Sequence, residues 1–162
     1  MKKYTIIGGI ILIISIFILI LIFKNHDGNL SDYKGDPFYL DDNYYNEGIF
    51  IDINSSDIEN LINNKSNFIL FVYNNYCTLE IPCDKIFEEV MIENKIDMLQ
   101  IKFEEFKTTR LYKTIKLAPS VIIFKDGKII DYLNADSDED LDKYQNKQSF
   151  KNWLNKYILL TK

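Results

Sequence analysis

The sequence contains few of the residues that build metal centres, catalytic nucleophile–base pairs or phosphate-binding loops. It has two cysteines, one histidine and six glycines in 162 residues. Two cysteines are too few for a cysteine-rich scaffold or a four-ligand zinc site. The glycines form no phosphate-cradling loop, and no serine–histidine pairing stands out. The composition therefore directs attention to the two cysteines.

Positive charge is also scarce, with 19 Lys and Arg against 24 Asp and Glu and a net charge of −5. A partner with a phosphate backbone is therefore not expected. Apolar residues make up 47% of the chain and aromatic residues 14%, which is too much for a disordered protein. At about 150 residues per domain, the length predicts one domain plus an additional segment.

The additional segment is an unbroken apolar run near the N-terminus. Residues 6–23 are 18 residues without a charge, and as a helix they would extend about 27 Å, close to the roughly 30 Å hydrocarbon core of a bilayer. Lys2 and Lys3 precede the run, which favours a cytoplasmic N-terminus. We therefore predict that residues 1–24 are a single-pass signal anchor in the cell membrane, with the rest of the chain extracytoplasmic.

Two alternatives to this anchor have been weighed. A cleaved signal peptide usually has an apolar region of roughly 7–15 residues followed by a small-residue cleavage site, whereas this run ends Leu21-Ile22-Phe23-Lys24. A buried helix of a soluble fold has no need to be apolar on every face. Residues 1–24 contain three lysines and no acidic residue, so the remainder carries 16 basic and 24 acidic side chains and a net charge of −8.

Residues 25–48 are rich in Asn, Asp, Gly and Tyr and show no sustained period of 2 or 3.6. This pattern predicts a polar extracytoplasmic linker, with the folded domain over residues 49–162. The histidine, His26, lies in this linker and is interpreted as a spacer residue rather than a ligand.

Strand patterns begin at Ile49. The run over residues 67–73 is continuously apolar, which is typical of a strand at the centre of a sheet with both faces covered. Asp126-Gly127 is a strong two-residue hairpin signal between two apolar runs. The predicted strands are residues 49–53, 67–73, 97–103, 120–124 and 128–132.

Helix patterns alternate with these strands. Ser56 and Glu59 predict a capping box for the first helix, and the second follows Cys83. Thr108 or Thr109 is expected to cap a third helix that continues through residue 115. Apolar residues at helical spacing predict a last helix that begins near Ser149. The predicted order is β-α-β-α-β-α-β-β-α, which is typical of an α/β domain.

Two motifs in this order resemble the thioredoxin superfamily. The first is FILFVYNNYCTLEIPCDKIFEEV, residues 68–90, a buried strand followed by a cysteine pair that opens a helix. The second is LYKTIKLAPSVIIFKDGKII, residues 111–130, which is similar to the family's cis-proline strand and the hairpin after it. The likeness covers about residues 49–160 and implies a thioredoxin-like fold, a central mixed β-sheet flanked by helices. It also implies a cis Ala118–Pro119 peptide that faces the cysteines.

The resemblance implies an active site that needs no metal and no cofactor. Its catalytic residues would be Cys77 and Cys83, and its substrate-binding residues would be Tyr76, Pro82, Ala118 and Pro119.

Two features depart from the family pattern. The family spaces its cysteines C-x-x-C, whereas five residues separate Cys77 from Cys83. Many thioredoxins also carry a buried carboxylate six positions before the first cysteine, where it assists proton transfer, and that position here is Phe71. Both departures argue against a fast reductase but not against the fold.

Two roles for the cysteine pair are compatible with the sequence. In the first, Cys77 attacks a substrate disulfide and Cys83 resolves the mixed disulfide. The N–H groups at a helix N-terminus stabilise a thiolate, so a helix that starts near Thr78 would favour Cys77, whereas one that starts at Pro82 would favour Cys83. In the second role, the pair is a structural disulfide in an oxidising compartment, where closing its short loop contributes about 2.4 kcal/mol.

An acidic cluster over residues 136–142 raises the question of a calcium loop. Counted from Asp136, the sixth position is Leu141 rather than Gly and the twelfth is Lys147 rather than Glu. We therefore interpret the cluster as a solvated acidic loop.

Two functional hypotheses follow from the sequence. One is a membrane-tethered thiol–disulfide oxidoreductase whose partners are the thiols and disulfides of exported proteins and a membrane redox partner. The other is a non-catalytic thioredoxin-like binding module of an envelope or export complex, with a structural disulfide.

Overall fold

The structure, a computed structural model, describes residues 33–74 and 82–162. A mixed sheet of five strands lies at its centre: β1 (Phe50–Asp52), β2 (Phe68–Tyr73), β3 (Met98–Lys102), β4 (Ser120–Lys125) and β5 (Lys128–Tyr132). The strands lie in the order β1-β3-β2-β4-β5. β3 pairs in parallel with β1 and β2, β4 pairs antiparallel with β2, and β5 pairs antiparallel with β4. The predicted central position of the second strand is confirmed.

β2 occupies the centre because its side chains are apolar on both faces. Residues 68–72 are all at most 3% exposed. Successive side chains of a strand point to opposite faces, so Phe68 and Phe71 serve different sides of the sheet. Phe68 stacks on its cross-strand partner Phe124 at 4.2 Å between ring centroids. Phe71 packs against Phe87 at 5.3 Å on the other side.

The helices are α1 (Ser55–Asn63), α2 (Cys83–Asn94), α3 (Phe103–Phe106), α4 (Leu141–Gln145) and α5 (Lys147–Asn155). Two 3-10 turns cover Asp42–Tyr44 and Arg110–Lys113. α2 and α5 pack side by side, with Phe87 and Phe150 at 4.3 Å between centroids. Lys147 and Lys151 of α5 both form ion pairs with Glu93 of α2, at 3.1 and 3.0 Å.

The first helix begins earlier than the sequence predicted. Asn54 is its N-cap, and the Asn54 side chain accepts hydrogen bonds from the backbone N–H groups of Ser56 and Asp57. Asp57 Oδ2 accepts in return from the Asn54 N–H at 3.0 Å. The predicted capping box of Ser56 and Glu59 is wrong by two residues, because Asn54 and Asp57 fill the same two roles two positions earlier in the chain.

The predicted third helix is also wrong. The chain turns into α3 directly after β3, where Phe106 is fully buried. Thr109 precedes the next turn, but its hydroxyl donates back to the Phe106 carbonyl at 2.8 Å and makes no capping hydrogen bond to that turn. Only a 3-10 turn, Arg110–Lys113, follows.

The last helix begins slightly earlier than predicted. α5 begins at Lys147, two residues before the predicted Ser149, with Asn146 as its N-cap.

The hairpin prediction is confirmed. Asp126 and Gly127 both have positive φ, 51° and 70°, as a two-residue hairpin turn of the primed type requires. A Cβ atom on Gly127 would lie 2.2 Å from the Ile62 carbonyl oxygen. Glycine is therefore required here both by the turn and by the close approach of α1.

The predicted linker over residues 25–48 needs correction in its described part, residues 33–48. Phe38, Leu40 and Tyr44 are buried in the core. Phe38 pairs with the C-terminal segment, since its N–H donates to the Tyr157 carbonyl and its carbonyl accepts from the Leu159 N–H. These contacts join residues that are about 120 positions apart, and a search for local periodicity does not reveal them.

Asp97 ties the same segment to the start of β3. Its side chain is 2% exposed, and Oδ1 accepts hydrogen bonds from the Gly48 and Ile49 N–H groups at 2.8 and 2.9 Å. The Asp97 N–H in turn donates to the Tyr44 carbonyl at 2.7 Å. One buried carboxylate therefore fixes the point where the chain enters β1.

The predicted anchor over residues 1–24 lies outside the described residues. In residues 33–74 and 82–162, no helix combines the length and the apolar character needed to cross a membrane. The anchor stays a prediction.

We expect Asp97→Ala to lower the free energy of unfolding by about 2–3 kcal/mol, because it leaves the N–H groups of Gly48 and Ile49 without an acceptor. Asp52→Ala is a matched control, since the Asp52 side chain is exposed and, among the described residues, accepts a hydrogen bond from the Gln100 side chain, and it should change the free energy of unfolding by less than about 0.5 kcal/mol. Urea unfolding followed through Trp153 fluorescence measures both. Equal losses in the two variants would contradict the role given to Asp97.

Candidate active site

Cys83 is the first residue of α2. Pro82 is the N-cap, with a non-helical φ of −57° and ψ of 128°. Of the two helix starts considered from the sequence, the later one is therefore observed. The first turn of α2 therefore begins six positions after Cys77. Tyr76 and Cys77 themselves fall in residues 75–81, outside the described part of the chain.

A cleft of about 540 Å³ opens beside the start of α2, and Cys83, Pro82 and Pro119 line it together. Cys83 is only 2% exposed, so its thiol is largely shielded from solvent. Two prolines from distant parts of the sequence thus lie at one cleft with a cysteine.

An aromatic wall forms another side of the cleft. Phe50, Phe71 and Tyr73 line it, with ring centroids 5.5 Å apart for Phe50 and Phe71 and 5.9 Å apart for Phe71 and Tyr73. Phe71 is 3% exposed and occupies the position where many thioredoxins carry a carboxylate. A proton cannot reach the cysteines through an acid at that position.

The charged residues of the cleft lie on the first two turns of α2. Asp84, Lys85 and Glu88 line it, and Lys85 Nζ donates to Glu88 Oε2 at 2.9 Å. The hydrogen bond to Glu88 raises the pKa of Lys85, so this ammonium stays charged at neutral pH. The rim of the cleft is therefore polar and open to water, in contrast to the aromatic wall.

The Ala118–Pro119 peptide is cis, as the resemblance to the family implied. Both carbonyls of this segment accept hydrogen bonds from side chains. Asn74 Nδ2 donates to the Ala118 carbonyl at 3.3 Å, and the Tyr144 hydroxyl donates to the Pro119 carbonyl at 2.8 Å. The Ser120 hydroxyl donates to the Leu117 carbonyl at 2.8 Å. Side chains thus hold three consecutive carbonyls of residues 117–119.

Tyr144 connects this segment to the cysteine helix. It is 3% exposed, and its ring lies 6.0 Å from that of Phe87 on α2. Burial, followed by the negative charges of Asp140 and of a Cys83 thiolate, raises the pKa of Tyr144 far above its usual value. The hydroxyl is therefore protonated, and a hydrogen-bond donor, throughout the neutral range.

Comparison with solved structures decides the fold. The chain is similar to a mutant thioredoxin from Halobacterium salinarum, with a TM-score of 0.52 and 12% identity over 72% of this chain and 97% of that one. The thioredoxin of Trypanosoma brucei brucei matches with a TM-score of 0.46 and 12% identity over 72% and 98% of the two chains. The oxidised thioredoxin of Plasmodium falciparum matches with a TM-score of 0.41 and 19% identity over 62% and 96%. The first of these likenesses shows that the described domain has a thioredoxin-like fold.

No family model matches the chain, and no curated protein matches it in sequence. The recognition of a thioredoxin fold from two short motifs is nevertheless confirmed by the solved structures. At 12% identity this likeness concerns the fold alone.

Within the thioredoxin fold, the predicted site residues fall into two groups. Pro82, Cys83 and Pro119 line one cleft, and Ala118 adjoins it, half-buried. The other two, Tyr76 and Cys77, lie in the undescribed residues 75–81.

Two side chains that bond the cis-proline segment, Asn74 and Tyr144, were missed by the sequence analysis. Asn74 directly follows β2, and residues at the carboxyl end of a central strand commonly lie at a binding site, so its position in the sequence could have identified it. The sequence signal for Tyr144 was weak. It consists of the three-residue spacing between Leu141 and Tyr144, which is compatible with one face of a helix, at the end of the acidic stretch.

The acidic stretch over residues 136–142 forms part of the fold. Asp140 Oδ2 accepts from the Asn134 N–H at 2.9 Å, and Oδ1 pairs with Lys143 at 3.1 Å. Among the described residues, no group of three or more His, Cys, Asp or Glu is placed to hold a metal ion.

The burial of Cys83 predicts slow alkylation. In a Cys77→Ser variant, where Cys83 is the only cysteine, iodoacetamide should react at least roughly 100-fold more slowly than with the same variant in urea, because a buried thiol must wait for local opening. Mass spectrometry of timed samples measures both rates. Similar rates in buffer and in urea would show that Cys83 is accessible, contrary to its burial.

Proposed function

We propose that the chain is a thiol–disulfide oxidoreductase, anchored in the cell membrane by residues 1–24, that exchanges disulfides with exported proteins through Cys77 and Cys83. The observation that carries this proposal is the placement of Cys83 at the N-terminus of α2, in one cleft with Pro82 and Pro119. The N–H groups of a first helical turn stabilise a thiolate, which makes a cysteine at this place a better leaving group in exchange.

The burial of Cys83 supports one order of the two thiols. A thiol that is 2% exposed is poorly placed to meet a disulfide on another protein, so Cys77 is proposed as the attacking group. Its thiolate forms a bond to one substrate sulfur, and the second substrate sulfur leaves as a thiolate. The Cys83 thiolate then attacks Cys77 Sγ and releases the first substrate sulfur. The substrate disulfide is thereby reduced to two thiols while Cys77 and Cys83 become a disulfide, and the reverse sequence oxidises a substrate.

Protons in this scheme come from solvent. Phe71 fills the position of the family carboxylate, and the carboxylates that line the cleft, Asp84 and Glu88, belong to its α2 rim. The substrate thiolates are therefore protonated by water or buffer after release. This arrangement suits slow exchange with protein substrates better than rapid turnover.

A redox titration tests the chemistry. We expect the full chain in mild detergent, equilibrated with glutathione buffers and trapped by alkylation, to show a midpoint potential well above about −300 mV. Structural disulfides of exported proteins have potentials below about that value. Mass measurement of the alkylated protein gives the oxidised fraction at each ratio. A pair that remains oxidised in strongly reducing buffers would refute the proposal.

Trapping of partners is an independent test. Cys83→Ser leaves Cys77 without a resolving thiol, so mixed disulfides with exported proteins should accumulate and appear as reducible high-mass bands. Cys77→Ser is the matched control and should trap none, because Cys83 is buried. Equal bands in both variants would mean non-specific oxidation.

The membrane location is part of the same proposal and rests on the apolar run at residues 6–23. We expect the full chain to sediment with membranes after high-salt washing, and a chain that begins at residue 25 to be released. A membrane-impermeant maleimide should label Cys77 in intact cells after reduction. Labelling only after the cells are lysed would place the domain on the cytoplasmic side instead.

One observation favours the second candidate, a binding module with a structural disulfide. Cys83 is 2% exposed, and a cysteine buried in this way is characteristic of an inert structural residue. A module of this kind would show a low midpoint potential and no trapped intermediates, so the two experiments above also decide between the candidates.

A further inference from the structure

Tyr144 lies between the cis-proline segment and α2. Its hydroxyl donates to the Pro119 carbonyl at 2.8 Å, and its ring packs against Phe87, one turn after Cys83 on α2. A Cys83 thiolate lies close enough to act on the ionisation of this tyrosine. One side chain thus contacts the proline segment and the helix that carries the buried cysteine.

The helix that carries Tyr144 is itself held in place. Asp140, which precedes α4, accepts from the Asn134 N–H and pairs with Lys143, the neighbour of Tyr144. Asn134 lies two residues after the end of β5. The hydrogen bond between Asp140 and the Asn134 N–H joins the start of this five-residue helix to the segment that follows β5, so its tyrosine meets Pro119 in a defined position.

We propose that Tyr144 is a positioning residue for thiol exchange, holding the Pro119 segment and the start of α2 in the arrangement that lets Cys83 attack the mixed disulfide on Cys77. This inference rests on the proposed oxidoreductase function. Tyr144 takes no part in bond formation, and its hydroxyl gives up no proton. Loss of the hydroxyl frees the Pro119 carbonyl and loosens the cleft at the side that faces Cys83. The resolving step, in which Cys83 reacts, is therefore the step that depends on it.

Tyr144→Phe keeps the ring against Phe87 and removes only the hydrogen bond. Tyr157→Phe is the matched control, because Tyr157 is also buried and its hydroxyl donates to Asp131 Oδ2 at 2.7 Å, a residue that does not line the cleft. Each variant loses one hydrogen bond donated by a tyrosine hydroxyl, and the two bonds are similar in length, at 2.8 and 2.7 Å. Urea unfolding shows whether the two variants lose similar stability.

The experiment uses the reduced full chain in detergent with oxidised glutathione as the probe. Samples quenched with acid and alkylated at intervals give two rates by mass: formation of the glutathione mixed disulfide on Cys77, and its loss as the Cys77–Cys83 disulfide forms. We expect Tyr144→Phe to slow the second rate roughly tenfold and to leave the first within about twofold, since a small misplacement of reacting groups has effects of this size or larger. Tyr157→Phe should leave both rates within about twofold.

Asp140→Ala provides a second variant that leaves Tyr144 intact. Because it removes the acceptor of the Asn134 N–H and the partner of Lys143, it loosens the start of α4 and should slow the resolving step in the same direction. Equal slowing of both steps, or equal effects in Tyr144→Phe and Tyr157→Phe, would overturn the inference and leave Tyr144 as a structural residue. Unchanged rates in Tyr144→Phe would overturn it as well. A wild-type chain that forms no mixed disulfide would instead refute the proposed function, and the inference with it.

Discussion

The packing of Phe87 is the contact on which the candidate site depends. Its ring lies 5.3 Å from Phe71 of the central strand, 4.3 Å from Phe150 of α5 and 6.0 Å from Tyr144 of α4. These contacts hold three helices on one face of the sheet. Because α2 begins at Cys83, four residues before Phe87, the same contacts fix the position of the cysteine relative to Pro119. A fully buried aromatic ring contributes several kcal/mol to such an arrangement.

Two other carboxylates, those of Asp97 and Asp131, accept hydrogen bonds from within the fold. Asp97 holds the entry of the chain into β1 through two backbone N–H groups. Asp131 of β5 accepts from Trp153 Nε1 and from the Tyr157 hydroxyl, at 2.8 and 2.7 Å. Such hydrogen bonds offset part of the cost of removing a carboxylate from water. Some acidic side chains of the domain therefore stabilise the fold, and the others lie at its surface.

The site combines family-like and divergent features, and they bear on different aspects of function. The cis Ala118–Pro119 peptide beside the start of α2 is the arrangement that the family motifs implied. Phe71 in place of a carboxylate and the late start of α2 concern how protons and charge are handled during exchange. The first set, the cis peptide beside the start of α2, is suited to binding an extended chain near a cysteine. The second set, Phe71 and the late start of α2, would affect the rate and direction of thiol exchange. A slow exchange catalyst and a binding module share the first set, and the redox potential of the cysteine pair distinguishes them.

The sequence by itself determined the five-strand α/β order, the central strand, the Asp126-Gly127 hairpin and the cis proline, because each has a strong local signal: continuous apolar residues, a turn dipeptide or a family motif. It misplaced the cap at Asn54 and the helix after Thr109, where neighbouring residues compete for the same role. Only the tertiary structure decided that residues 33–48 belong to the domain and that Tyr144 and Asn74 bond the carbonyls beside Pro119. Those contacts join residues 25 to about 120 positions apart, and hydrogen bonds over such separations follow from how the elements pack rather than from any local pattern.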